Sequence, residues 1–340
     1  MGFCEGLRYG EGLMEYPAIS IVIPTWNGKF LLSRFLKSVM EALQRYPGEN
    51  ECIVVDDGGQ DDTPTLMATA FPEAVFVRRT ENGGFSTAVN TGIDRARHPW
   101  VLLLNNDIEV KADFLIPLGE RVAADPELFA VSVFQNQPPD GGETESGSCS
   151  IGFVAGEYRR FDRTKDALSG EQYVQGFANG GATLFNREKL LFIGGFCDLL
   201  NPFYFEDMEV SIQALKRGWR LAFEPRSIVW HRPNSTTRKK KRSHVARIIA
   251  RNYFFCHWLT LDNSGLWVNH VACSLLRLTS RTGRGDLDFA AGFGMALLSI
   301  PALCRQRRER SVGWCCSLRD QLEAIDLMPR RQTTGTTERV

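Results

Sequence analysis

Charge of one sign is missing from this chain: across 340 residues Lys and Arg number 40 and so do Asp and Glu. No global field therefore points to nucleic acid as a partner. The nine cysteines are scattered, with no Cys-x-x-Cys pair and only Cys315 and Cys316 adjacent. That pattern excludes a disulfide framework and a zinc site of the usual spacing, and predicts a reducing, cytoplasmic setting. The start, Met1-Gly2-Phe3-Cys4-Glu5-Gly6, lacks the basic and apolar regions of a signal peptide, and Gly6 stands where an N-myristoyl signal has Ser or Thr. The most apolar late segment, Phe289 to Cys304, is shorter than a spanning helix and carries Gly292, Gly294 and Pro301. No internal repeat is visible.

What is present is alternation. Ala18 to Pro24 is a short β-branched run, followed by the turn Thr25-Trp26-Asn27-Gly28 and by Leu32, Phe35, Leu36, Val39 and Leu43 at helical spacing. Glu51 to Val55 reads as a second strand ending in Asp56-Asp57-Gly58, with Pro64 in the first turn of the next helix. Ala74 to Val77 leads into Glu81-Asn82-Gly83-Gly84-Phe85 and a third helix. Trp100 to Leu104 ends in Asn105-Asn106-Asp107. Strands alternating with helices predict an α/β domain with a mostly parallel sheet flanked by helices, whose ligands bind beyond the carboxyl ends of the strands. The polar loops at those ends predict one shared cleft.

Residues 135–172, rich in Gly, Ser and Pro, read as a surface loop or insertion beside that cleft. A strand is expected over Gly180 to Phe185, and two more at Trp219 to Phe223 and Ile228 to His231, joined through Pro225. Between them lies Gly194 to Val210, in which a glycine pair and a run of aromatics precede Glu206, Asp207 and Glu209 at the start of a helix ended by Gly218. Two readings are open: the acids complement the helix dipole, or they are held partly desolvated in a cleft.

Beyond His231 the sequence changes character. Arg238 to Arg242, with Arg247 and Arg251, forms a basic run without an intervening acid, and Arg305, Arg307, Arg308 and Arg310 form a second cluster. Each is either a solvated face or a contact for phosphate groups. The aromatic helices around Tyr253 to Leu259 and Leu266 to Leu278 either lie on a membrane surface or pack back onto the first domain.

Acids at strand ends can hold a hard divalent cation, Mg2+ or Mn2+, with phosphate oxygens completing its shell. Asp107 is the foremost candidate; Asn105 could add an amide oxygen, and His231 a nitrogen for manganese, unless it is an ordinary structural histidine. Asp207 would then be a general base for a hydroxyl. Glu206 is the supporting carboxylate, and Glu209 is left to helix electrostatics.

In order, Ser20 to Asn27, Val54 to Asp61, Glu81 to Phe85, Leu102 to Asp107 and Phe203 to Asp207 resemble the family-2 glycosyltransferases, most closely the rhamnosyltransferase-like branch that builds bacterial surface polysaccharides. The resemblance covers about residues 17–235 and implies a GT-A (Rossmann-like) fold and inverting transfer of a sugar from a nucleotide-diphosphate donor to a glycan or lipid-linked acceptor. It implies that Pro24, Thr25 and Asn27 line the nucleotide pocket, with Asp57 at the base and Asp56 beside it, and Asn82 and Gly84 near the ribose and diphosphate. Asn105, Asn106 and Asp107 take the place of the metal-binding Asp-x-Asp motif, Asp207 that of the base, and His231 that of a histidine completing the metal site.

Three departures stand out: Asn105 for the first acid of that motif, Gly59 and Gln60 for Ser-Thr, and Cys197 where an acid follows Gly-Gly-Phe. The expected organisation is an extension (1–16), a catalytic domain (17–235), a helical, basic and aromatic region (236–327) and a tail (328–340). The expected location is cytoplasmic, with peripheral attachment to the inner face of the cytoplasmic membrane as an open addition. The alternatives are a non-catalytic nucleotide-sugar-binding subunit and a sugar nucleotidyltransferase. Against the latter, no Gly-rich loop bearing Arg and Lys follows the first strand.

Overall fold

The computed structural model describes residues 15–136, 146–169, 175–231 and 242–327. The tail from 328, the first fourteen residues and Arg238 to Lys241 of the basic run lie outside the described residues.

Strand β1 (Ile19–Thr25) is buried along its whole length and pairs in parallel with β2 (Asn50–Asp56) on one side and β4 (Trp100–Leu104) on the other. Helix α1 (Lys29–Arg45) makes the first crossover, and α2 (Thr63–Ala70) leads to β3 (Val75–Arg78) beyond β2. Helix α3 (Phe85–Arg95) then carries the chain back across the sheet to β4. The order of strands thus reverses at β1, and the loops after β1 and β4 flank the crevice that such a reversal leaves open.

Period-two alternation divides the core. Ile19, Ile21 and Ile23 pack with Leu32, Leu36 and Val39 of α1 on one face. Val22 packs with Ala88, Val89 and Ile93 of α3 on the other. Gly92 permits that second contact, since a Cβ there would stand 2.3 Å from Val22 Cγ1.

The second half of the sheet is mixed. The complete order is β3-β2-β1-β4-β9-β6-β10-β5, in which β9 (Ala182–Asn186) runs antiparallel between β4 and β6 (Leu128–Asn136). Strand β5 (Ile108–Val110) closes the edge against β10 (Arg220–His231), and α4 (Leu115–Ala124) covers that end. Strand β10 differs from the expected pair of strands: it runs continuously through Pro225 by means of an irregularity between Glu224 and Ile228, and stays in parallel register with β6 on both sides of it.

Within 135–172, the described residues 146–169 are likewise more ordered than the composition suggests. It contains a hairpin, β7 (Cys149–Val154) and β8 (Glu157–Asp162), and the short helix α5 (Thr164–Leu168). Turn residues Ala155 and Gly156 adopt the left-handed conformation a tight hairpin needs.

After α6 (Arg187–Phe192) and a single 3-10 turn (Asp198–Leu200) comes α7 (Glu206–Leu215), nearly all of it buried. The C-terminal helices are α8 (Arg242–Thr260), α9 (Ser264–Gly283), α10 (Leu287–Leu298), α11 (Ile300–Arg310) and α12 (Leu318–Leu327). Their aromatics largely pack inward. Tyr253, Phe254 and Phe255 are buried in a cluster with Cys197 and Leu200, and Tyr158 of the hairpin stacks on His257 at 4.5 Å between ring centroids. Cys197 thus takes an apolar place beneath α8, and burial pushes its thiol up to about 12.

The second basic cluster is divided. Arg310 is buried and grips Glu209 of α7 bidentately, at 2.6 and 2.9 Å. Glu209 is therefore no surface complement to a helix dipole, as expected from sequence, but one half of a buried ion pair that ties α11 to α7. Lys216, also fully buried, completes the attachment through Asp262 at 2.7 Å and the face of Trp314.

Candidate active site

One wall of the crevice is built from the loops after β1, β2 and β4. Asn106 donates from its amide to Thr25 Oγ1 at 2.7 Å, joining the first and third of these. Asn27 takes a left-handed conformation, φ 50°, and its amide oxygen accepts from the Gln60 N–H at 2.6 Å. Pro24 is buried beneath them and Asn82 is exposed at the rim.

The two acids after β2 have different surroundings. Asp57 Oδ1 accepts from Arg79 Nε at 2.8 Å and from Gly83 N–H at 3.0 Å, and Oδ2 from Gly84 N–H at 2.8 Å. Asp57 is thereby the clamp of the glycine loop. Asp56 uses Oδ1 for the Gly59 N–H, while Oδ2 is buried without a hydrogen-bond partner and stands 3.5 Å from Arg78 Nε in an ion pair. Burial raises the pKa of that carboxyl. Gly84, at φ 90°, approaches Asn201 so closely that a Cβ would stand 2.6 Å from its amide oxygen, which accepts from Ser86 N–H. The backbone donors that open α3 are therefore largely consumed within the chain.

Asn105, Asn106 and Asp107 follow β4 and turn directly into β5. Because β5 pairs with β10, His231 lies opposite Ile108, and its Nε2 stands 3.2 Å from Asp107 Oδ1. That oxygen is buried and has no hydrogen-bond partner, so this pair of donors fits a hard cation. No group of three or more His, Cys, Asp and Glu with metal-site geometry occurs among the described residues. A cation here would draw the rest of its shell from amide, phosphate or water oxygens.

The opposite wall is the start of α7. Gly180 and Gly181 run between the walls: a Cβ on Gly181 would lie 3.3 Å from Asn105 Nδ2, and one on Gly180 would lie 3.4 Å from Asp207 Cβ. Asp207 Oδ1 accepts from the Met208 N–H at 2.8 Å. Glu206 beside it is buried, with Oε2 unpartnered. Burial, and then the Asp207 charge, pushes the Glu206 carboxyl up to about 8. Burial also raises Asp207, against the opposing pull of Arg160 on β8. Two adjacent carboxyls in such a setting disfavour a second negative charge.

The backbone before this pair is strained. Tyr204 and Phe205 both have positive φ, 73° and 74°, which aromatic side chains rarely adopt. Asn252 of α8 holds them there: its amide donates to the carbonyls of Leu200, Phe203 and Tyr204. Arg251 donates to the Asn201 carbonyl. Asn252 stands in no motif; Arg251 belongs to the basic run, which reads as a solvated face or a phosphate contact, and is instead turned inward, and Arg160 lies in the stretch read as a loop.

A doubly wound sheet whose polar loops converge at a reversal of strand order is the arrangement in which α/β proteins bind their ligands. The chain belongs to a named family of this architecture: residues 20–192 match glycosyl transferase family 2. It is 25% identical over 222 residues to the poly-beta-1,6-N-acetyl-D-glucosamine synthase of Staphylococcus aureus, covering 64% of this chain and 50% of that one. The chain thus spans about half the length of that relative. It is also 25% identical over 322 residues to the succinoglycan biosynthesis protein ExoO of Rhizobium meliloti, covering 86% and 87%.

Solved glycosyltransferases share the GT-A fold of this chain. GalNAc-T7, solved with UDP, GalNAc and Mn2+, superposes with a TM-score of 0.64 at 18% identity, over 94% of this chain and 57% of that one. The mannosyltransferase PcManGT of Pyrobaculum calidifontis, in complex with GDP-Man and Mn2+, gives 0.52 at 19% identity, over 92% and 86%. These relatives do not single out the rhamnosyltransferase-like branch.

Proposed function

We propose that the chain is an inverting glycosyltransferase that moves a sugar from a nucleotide-diphosphate donor to a hydroxyl of a glycan or lipid-linked glycan, in the making of a bacterial surface polysaccharide. The observation that carries this reading is the Glu206–Asp207 carboxyl pair, set across Gly180 and Gly181 from the amide and carboxylate loop at Asn105 to Asp107. The named relatives, a polysaccharide synthase and a succinoglycan biosynthesis protein, agree with it.

On this reading the nucleotide lies against Pro24, Thr25 and Asn27 with Asp56, paired to Arg78 at 3.5 Å, beside the base, while Asp57 holds the glycine loop in shape. Asp107 and His231 hold Mg2+ or Mn2+, which when bound supplies positive charge beside the departing diphosphate. Asp207 accepts the acceptor's proton as the hydroxyl oxygen bonds to the anomeric carbon. The bond from that carbon to the diphosphate oxygen breaks with its electron pair left on the oxygen, and in-line attack inverts the centre. Partial burial makes Asp207 a better base than a solvated aspartate. Glu206, kept neutral, spares it a second negative charge. The chain works at the inner face of the cytoplasmic membrane, where the basic run from Arg238 to Arg242 meets anionic lipid.

Asp207→Asn should cut transfer by about 10²–10⁴-fold, the usual contribution of a positioned base, and leave calorimetric donor binding intact. Full activity in that variant would remove Asp207 from the role. The asparagine at 105 favours one second reading, a subunit that binds nucleotide-sugar without turnover. Tight donor binding with no nucleotide diphosphate released, across magnesium and manganese, would select it.

A further inference from the structure

From the α9–α11 region we infer an insertion device: the elbow between α10 and α11, with the outer face of α9, enters one leaflet of an anionic bilayer, and a lipid hydrocarbon chain occupies the cavity behind it. This deepens the membrane clause of the function proposed above and rests on it, but it concerns a different surface from the Arg238 to Arg242 run.

Helices α10 and α11 meet at 67° around Ser299. No single helix among the described residues is long and apolar enough to cross a bilayer, but this bent pair together has the composition of a broken or re-entrant span. The outside of the bend is apolar and open to solvent: Leu298 is 87% exposed, with Leu297 and Ile300 beside it. On α9, Val268 at 70% and Leu276 at 69% are exposed, together with Val271 and Leu275. Monomeric soluble proteins seldom leave a contiguous apolar surface of this kind uncovered.

Behind this surface lies a cavity of about 400 Å3 among α8, α9, α10 and α11. Trp258, Trp267, Val271, Leu275, Leu297 and Ile300 are among its lining residues, so exposed members of the patch form its mouth. The cation on its wall is already engaged: Arg307 donates to the carbonyls of Trp258 and Leu261. His270 and Ser274 also line the space, and the rest of its wall is hydrocarbon, which suits a chain.

Charge selects the bilayer as the occupant. No acid occurs from Ser264 to Gly283 or from Phe289 to Arg308. Arg305 and Arg308 are exposed on α11. Pro301 and Arg308 lie seven residues apart, so the arginine sits roughly 10 Å from the apolar elbow at 1.5 Å per residue. Interfacial helices bury their apolar faces by about 5–10 Å, which would bring these guanidinium groups to the level of the lipid phosphates. The nearby acids, Asp286 and Asp288, are at the far end of α10 and face Arg281 and Arg247; Glu309 adjoins Arg308.

The test is flotation of the full chain with vesicles of phosphatidylcholine alone or mixed with phosphatidylglycerol. The parent should float with the anionic vesicles, and Leu298→Glu combined with Ile300→Glu should reduce that partition at least tenfold while circular dichroism and donor binding stay unchanged. Arg305→Ser with Arg308→Ser should weaken binding to anionic vesicles only. Lipids brominated along their chains should quench Trp258 and Trp267 fluorescence in the parent and not in the glutamate variant. Undiminished flotation of the glutamate variant overturns the insertion. So does a parent that ignores vesicles but self-associates in sedimentation until Leu298 is replaced, which makes the patch an interface between copies. Loss of flotation on replacing Arg238 to Arg242 alone, with the elbow variants unaffected, keeps the basic run and removes the elbow. Release of nucleotide diphosphate, measured separately without vesicles, reports on the transferase reading whichever arm fails.

Discussion

The two walls of the crevice are held in place by different means. The wall at the strand ends is held largely by short-range bonds: Asp57 reaches Arg79, Gly83 and Gly84, all within 27 residues of it, with Asn106 reaching Thr25 across 81 residues and Ser86 reaching Asn201 across 115. The acid wall is held from afar, since Asn252 grips the carbonyls of Leu200, Phe203 and Tyr204 across 48 to 52 residues, and Arg310 reaches Glu209 across 101. The glycine loop of the first wall is clamped within a strand-turn-helix unit, and the second wall is braced by the docked C-terminal helices. Chemistry that needs a base in a fixed place thus depends on a region outside the matched family segment, which ends at residue 192.

Breaking each clamp should separate binding from turnover. Asn252→Ala leaves three carbonyls without their shared donor and frees the strained turn at Tyr204 and Phe205. A displacement of about 1 Å at a reacting group can cost 10²-fold, so kcat should fall by roughly that factor while donor affinity is unchanged. Equal kcat in parent and variant would show that the strain has no bearing on the base. Asp57→Asn should act the other way. It removes the charge behind three hydrogen bonds, so donor affinity should weaken by about tenfold in calorimetry with kcat at saturating donor little altered, each charge-assisted bond being worth roughly 1.5–3 kcal/mol.

A further effect is on stability against pH. The Glu206 carboxyl is raised from 4.5 to about 8 in the folded chain. Between those values the native state binds a proton that the unfolded chain has released, so stability falls as pH rises through that window and levels off above it. Glu206→Gln should flatten this part of the urea-midpoint profile, and Asp207→Asn should shift it toward lower pH by removing the neighbouring charge. A profile identical in parent and Glu206→Gln would show that the carboxyl is solvated.

The difference between the walls also explains what could be read in advance. The strands β1 to β4, their helices and the polar residues at their ends follow from alternation and turn chemistry, both expressed over short spans. Glu209 was assigned to helix electrostatics because its partner, Arg310, sits in a distant basic cluster that looks like a solvated face. The hairpin β7–β8 was hidden because its stability comes from docking: Tyr158 donates its N–H to His257 and Arg277 meets Glu157. The continuous β10 was hidden because proline inside a strand ordinarily ends it, and here the strand is irregular between Glu224 and Ile228.

Sequence alone determined the order of strands and helices in the first half, the polar strand ends, and the presence of an acidic helix start behind a glycine pair, because each is a local pattern of residue types. Only the tertiary structure decided that Asp107 stands against His231, that Asp57 clamps the glycine loop while Asp56 faces Gly59 and Arg78, and that Glu206 is buried beside a half-buried Asp207. Those outcomes depend on which groups burial leaves without water and which distant partners reach them, and neither is written in the spacing of residues along the chain.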